Sequence, residues 1–238
     1  MTCPAKEKII VALDTPDSMS ALRLVDDLKD AISWVKVGLQ LFTAQGPAIV
    51  TALKERRLKV FLDLKFHDIP NTAHEAMRSA VRLGADMATI HLSGGSRMVR
   101  SAIEATAGSP LLVLGVTVLT SFDEAELRGI GVQRTPEEQV AELAALGCQC
   151  GLRGVVCSPR EITSLRSKFG DSLTIVTPGV RPVGSAADDQ QRVMTPAEAV
   201  RAGASHLVIG RPITAARSPR EAALRIADEI ASSLSDLK

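Results

Sequence analysis

The sequence predicts a (β/α)8 TIM barrel that occupies residues 1–238 as a single domain. Three observations carry that expectation. A short β-branched run, a polar loop and an amphipathic helical stretch recur about every 25 to 30 residues. Eight such units follow one another without a break in composition. A chain of 238 residues is long enough for one large core, and barrels commonly reach that size undivided. Eight evenly spaced units favour closure over an open doubly wound sheet, the structural alternative.

The elements follow in order. IIVALD at 9–14 is the first strand, and Thr15-Pro16-Asp17 then signals a helix start ahead of SALRLVDDL. WVKVG at 34–38 and KVFLDLK at 59–65 are the second and third strands. Gly84, in the phrase RLGAD, is expected to cap the helix that precedes the fourth strand, MATIHL at 87–92. LLVLGVTVL at 111–119 is the fifth strand. Thr135-Pro136-Glu137-Glu138 has the spacing that opens a helix, QVAELAAL, with Gly147 expected to close it. GVVCS at 154–158 and TIVTPGV at 174–180 are the sixth and seventh strands. A second start signal, Thr195-Pro196-Ala197-Glu198, leads a helix closed by Gly203, and HLVIG at 206–210 completes the set.

Composition narrows the partners. The formal charge is +1 and the basic residues are scattered among acids, so neither a nucleic-acid nor a membrane surface is expected. Small molecules are the expected ligands. Cys3, Cys148, Cys150 and Cys157 form no disulfide framework or zinc-knuckle spacing and are read as reduced thiols. The longest apolar stretch, 111–119, is far too short to span a bilayer, and a cytoplasmic address is the simplest expectation.

In a barrel of this kind function sits at the C-terminal ends of the strands. Side chains alternate along a strand, so Phe61, Asp63 and Lys65 share one face while Val60, Leu62 and Leu64 share the other. The leucine face suits the outer helix layer, which turns the charged face to the barrel mouth. The same reading sends Val35 and Val37 outward and Lys36 inward, and places Leu13 outward with Asp14 at the mouth. Buried charge is costly unless it is paired, so two acids and two lysines on neighbouring strands form a set that supports itself. Asp68 lies three positions after Lys65, within reach of this cluster or of a neighbouring subunit's. Opposite it, TPGVRP (177–182) and IGRPI (209–213) follow the seventh and eighth strands, where barrels often hold a phosphate. Gly210 permits close backbone approach to an oxyanion and Arg211 supplies a fork of donors. Arg181 begins a polar loop, RPVGSAADDQQRVM, suited to a lid over the substrate.

These motifs, VALD (11–14), KVG (36–38), DLKFHDIPNT (63–72), VTVLTS (116–121), PGVRP (178–182) and IGRPI (209–213), occur together in the order in which the bacterial orotidine 5'-monophosphate decarboxylases carry them. The chain resembles that family over essentially its whole length. The resemblance implies decarboxylation of orotidine 5'-monophosphate to UMP and carbon dioxide, the last step of pyrimidine nucleotide synthesis, with neither metal nor organic cofactor. It implies that Lys36, Asp63, Lys65 and Asp68 form an alternating charge array, with Lys65 the proton donor and Asp63 beside the departing carboxylate. It further implies that Asp14 and Lys36 meet the ribose, that Thr120 and Ser121 face the base, that Arg181, Gln190, Gly210 and Arg211 hold the phosphate and close the lid, and that Pro178 and, as part of the neighbouring subunit's site, Ile69 and Thr72 contact substrate. Asp68, Ile69 and Thr72 are expected to cross into the other site of a homodimer. His67 faces away from the array by alternation and reads as a loop residue; a place behind the array is the lesser reading of His91, and neither residue is assigned a role. Sugar-phosphate decarboxylases and hexulose-phosphate synthases on the same barrel use magnesium and commonly carry an acid where this chain has Lys36. A lysine there opposes a divalent ion. A phosphate or nucleotide sensor without chemistry is the reading from another class, against which stands the cost of a complete charge array.

Overall fold

The computed structural model describes residues 5–182 and 194–235. Eight parallel strands close into a barrel in sequence order: β1 Ile9–Ala12, β2 Trp34–Gly38, β3 Lys59–Phe66, β4 Met87–His91, β5 Leu112–Val116, β6 Gly154–Val156, β7 Thr174–Pro178 and β8 His206–Ile209. The seam is made by β1 on β8, with Ile9 opposite Leu207 and Val11 opposite Ile209. The helices are α1 Ser18–Leu28, α2 Leu39–Gln45, α3 Ala48–Glu55, α4 Pro70–Arg82, α5 Gly95–Glu104, α6 Glu124–Gly129, α7 Pro136–Gln149, α8 Ile162–Phe169, α9 Pro196–Arg201, α10 Arg211–Thr214 and α11 Pro219–Ser235. Among the described residues no helix is long and apolar enough to cross a membrane.

Alternation along the strands sorts the core into two parts. Ile10, Trp34, Phe61, Met87, Leu114 and Val176 fill the barrel interior. Val35, Val37, Val60 and Leu62 face outward into the larger core under the helices, which is why near-continuous apolar strands were selected. The inward side chains therefore leave Lys36 and Asp63 one step above Trp34 and Phe61, at the mouth.

Helix starts follow their local signals. Asp17 caps α1 by accepting from the Ser20 amide at 2.7 Å, and Thr135 and Thr195 each form a reciprocal capping box, with Glu138 and Glu198 respectively. Gly84 and Gly203 lie just past helix ends at φ +73° and +109°, conformations that favour glycine.

Several expected boundaries need correction. The first, fourth, fifth, sixth, seventh and eighth strands are shorter than their expected runs and the third is one residue longer; Asp14, Val118, Leu119, Gly179, Val180 and Gly210, past the strand ends, line the mouth. Gly147 does not close a helix. It lies inside α7, and the terminating glycine is Gly151 at φ +94°. A Cβ at Gly147 would meet Leu152 Cδ2 at 2.9 Å, so that position is small because of packing.

Candidate active site

The C-terminal mouth opens into a cavity of about 340 Å3. Asp14, Lys36, Asp63 and Lys65 line one wall; Thr120, Pro178, Arg181, Gly210 and Arg211 line the others. Apolar side chains, among them Val116, Val156 and Val208, complete the lining. The cavity thus combines a charged wall and two arginines with an apolar remainder, the mixed lining typical of small-molecule sites.

The four charges make a chain of contacts. Lys36 Nζ donates to Asp14 Oδ1 at 3.0 Å and lies 3.9 Å from Asp63 Oδ2. Lys65 Nζ donates to both Asp63 oxygens at 2.9 Å. Side-chain exposure is 12% for Lys36 and 13% for Asp63 but 59% for Asp14, so the sequestered centre of the array is the Lys36–Asp63 pair. Two ammoniums flanking one carboxylate offset much of the cost of holding it away from water.

β3 departs from regular pairing where it delivers Lys65. Between the pairs Leu62 with Ala88 and Phe66 with Ile90, β3 carries two more residues than β4, and Lys65 sits at φ +52°. For a residue with a Cβ such a backbone costs on the order of 1–3 kcal/mol and marks a position held by its surroundings. An insertion of two preserves the period of two, so Lys65 still points inward beside Asp63 as alternation requires. The Lys65 amide donates to Thr89 Oγ1 at 2.8 Å, and that hydroxyl donates to Asp63 Oδ1 at 3.1 Å.

Gly38 gives the array its room, and His91 lies near it. A Cβ at Gly38 would stand 2.8 Å from Lys36 Nζ and 3.5 Å from Asp14 Oδ1, so the missing side chain is the space in which that ion pair forms. His91, at the end of β4, packs its ring 5.4 Å from that of His67. Burial, then the His67 and Lys65 charges, push the His91 imidazole below its ordinary pKa against an opposing pull from Asp63, which keeps it neutral near pH 7.

Not every expected residue reaches this cavity. Asp68 accepts from the Ile69 amide at 2.7 Å, and Asp68, Ile69 and Thr72 are exposed outside the cavity lining of their own chain. Ser121 is likewise exposed and off the lining, next to Thr120, which is on it. Gln190 and the centre of the expected lid, 183–193, lie outside the described residues. The ends of that segment meet through the Arg181 amide, which donates to the Met194 carbonyl at 3.1 Å. His67 is an exposed loop residue, as expected, and its ring packs against that of the half-buried His91. Among the described residues no group of three or more His, Cys, Asp or Glu is placed to hold a metal ion.

Thr89 and Gly38 were not anticipated as parts of the site. Thr89 had a signal: a polar residue on the inward register of β4, two positions after Met87 and two before His91. Gly38 entered only as the last residue of the KVG motif, with no role attached.

Residues 7–226 match the Orotidine 5'-phosphate decarboxylase / HUMPS family. A Moorella thermoacetica protein named orotidine 5'-phosphate decarboxylase is 54% identical over 234 residues, covering 95% of this chain and 93% of its own length. A Halorhodospira halophila protein of the same name is 50% identical, covering 97% and 99%. The crystal structure of the orotidine 5'-phosphate decarboxylase from Lactobacillus acidophilus superposes with a TM-score of 0.84 at 36% identity, over 94% of this chain and 99% of that one.

Proposed function

This chain belongs to the Orotidine 5'-phosphate decarboxylase / HUMPS family, and from that premise we propose that it converts orotidine 5'-monophosphate to UMP and carbon dioxide through the charge array, without metal or organic cofactor. The conversion is the final step of pyrimidine nucleotide synthesis and makes the chain a carboxy-lyase, acting in the cytoplasm.

The observation that carries the residue assignment is the run Asp14–Lys36–Asp63–Lys65 along one wall of the cavity. The substrate carboxylate sits beside Asp63. As the bond from carbon 6 to the carboxyl carbon breaks, its electron pair stays on carbon 6 and carbon dioxide departs. The Lys65 ammonium faces the charge that develops there and then gives carbon 6 its proton. Because Asp63 already orients that ammonium, little rearrangement is needed as charge builds. Lys36 and Asp14 hold the ribose hydroxyls, Thr120 and Ser121 address the base, and Pro178, Arg181, Gln190, Gly210 and Arg211 take the phosphate end. Phosphate contacts made far from carbon 6 raise turnover as well as affinity when they hold the reacting end in place.

The functional unit is a homodimer in which Asp68, Ile69 and Thr72 enter the neighbouring site. Their placement outside their own cavity supports this, as does the exposure of Ile69 (67%) and Leu39 (56%) at the same end of the barrel. Burying such side chains against a second copy would remove apolar surface from water.

The family name also covers activities other than this one, and Lys36 separates them. Its ammonium stands between Asp14 and Asp63, where a divalent ion would need an oxygen ligand. The test is the ultraviolet absorbance change on mixing protein with orotidine 5'-monophosphate in EDTA, with carbon dioxide followed in parallel. Conversion in EDTA is expected, and Lys65→Ala is expected to lower kcat by at least about 10³-fold with the fold intact. A folded protein inactive in EDTA that needed magnesium and a sugar phosphate would overturn the reading.

A further inference from the structure

Thr89 is fully buried, with none of its surface accessible, and it is not part of the cavity lining. It lies on β4 two positions after Met87, a residue of the barrel interior, so its hydroxyl points inward beneath the array. A hydroxyl in such a place needs partners, and this one has two. It accepts from the Lys65 amide at 2.8 Å and donates to Asp63 Oδ1 at 3.1 Å.

The first bond answers the irregularity in β3. With two extra residues between its pairings to β4 and its backbone at φ +52°, Lys65 presents its amide to a side chain in place of a ladder carbonyl. The second bond pins one oxygen of the carboxylate that grips the Lys65 ammonium from both sides. One hydroxyl therefore holds Lys65 at its backbone and, through Asp63, at its charged end.

We propose that Thr89 is the positioning residue of the array, its single hydroxyl fixing both the left-handed backbone of Lys65 and the orientation of Asp63. This rests on the reaction assigned to Lys65 and Asp63 above. Thr89 does not touch substrate, so its loss acts on the chemical step and spares binding.

The experiment compares wild type with Thr89→Val, which keeps the shape and removes the hydroxyl, and Thr89→Ser, which keeps the hydroxyl. Steady-state kinetics on orotidine 5'-monophosphate are expected to show kcat lower by about 10²-fold in Thr89→Val, in line with the cost of a misplacement of about 1 Å, with KM little changed. Thr89→Ser is expected to recover most of kcat. A crystal structure of Thr89→Val is expected to show Lys65 out of the left-handed region or Asp63 rotated away from it. A folded Thr89→Val with wild-type kcat, a Thr89→Ser as slow as Thr89→Val, or a change in KM alone would overturn the proposal. If Thr89→Val does not fold, Thr89→Ala against Thr89→Ser isolates the same hydroxyl. Absence of turnover in wild type would strike the reaction, whereas Lys65 and Asp63 both unmoved in the Thr89→Val structure would strike only the role of Thr89.

Discussion

Lys36 reaches Asp14 through the space left by the missing side chain at Gly38. The nearest atom to an added Cβ is the tip of a flexible lysine, so the lysine moves and the strand does not. Gly38→Ala is accordingly expected to fold normally, with an unfolding midpoint close to wild type, while kcat/KM for orotidine 5'-monophosphate falls by about 10- to 100-fold. Wild-type kinetics in that variant would show that Lys36 tolerates displacement. At the opposite end of the barrel His206 sits edge-on to Trp34 with ring centroids 5.4 Å apart, and its Nδ1 has no hydrogen-bond partner among the described residues. Burial, then the Lys8 and Lys59 charges, push its pKa from 6.5 down to about 4, against a pull from Glu7. As pH falls the unfolded chain takes up this proton first. The contribution is complete above about pH 6.5 and is lost progressively toward pH 4, by up to about 3 kcal/mol. Urea unfolding at pH 7 and pH 4.5 should therefore show a smaller acid loss for His206→Gln than for wild type; equal losses would remove His206 as a source. The inward placement of Asp14, Lys36, Asp63 and Lys65 was legible residue by residue, because alternation is a local rule. The bulge beneath Lys65 was not legible, because an insertion is defined only against the partner strand.

Among the elements, β5 and α7 face each other across two leucines. A Cβ at Gly115 would stand 2.7 Å from side-chain carbons of both Leu92 and Leu152, and one at Gly147 would meet the same two residues at 3.2 and 2.9 Å. Both leucines are buried, so neither can yield without disturbing its neighbours. Gly115→Ala is expected to cost about 1–3 kcal/mol of stability, read as a lower denaturation midpoint, with kcat unchanged because the strain lies outside the barrel wall. A neutral effect would mean that the leucines have room to repack. The same pair explains why helix starts were easier to read than helix ends. A threonine, a proline and a glutamate at fixed spacing form a cap from their own side chains, as at Thr135 and Thr195. A glycine is ambiguous: it permits a left-handed turn at Gly84 and a close approach at Gly147, and only the surrounding side chains decide which. The eight strands themselves were legible because their runs were long and β-branched. Their ends were not, since whether Leu13 or Val118 remains in a ladder depends on the neighbouring strand.

For the molecule as a whole, a site completed by a second copy has a test that no single-chain defect can imitate. Lys65→Ala and Asp68→Ala are each expected to be nearly inactive. If Asp68 serves the neighbouring cavity, a mixed dimer of the two holds one doubly altered site and one site with neither change. Random mixing by co-expression or refolding is then expected to restore about a quarter of wild-type activity. No recovery from demonstrably mixed dimers would return Asp68 to its own chain. The barrel seam carries a consequence for how the molecule comes into being. The first strand pairs with the last, and Asp14 stands on one side of that join while Gly210 and Arg211 stand on the other. On a ribosome adding about 5–20 residues per second, β1 must wait for almost the whole chain to emerge before its open edge finds a partner. Until then the nascent protein exposes strand edges of the kind that recruit other chains. The reaction chamber comes into existence only in the final act of assembly, so an incomplete copy presents a burden to the chaperones and no enzyme to the cell.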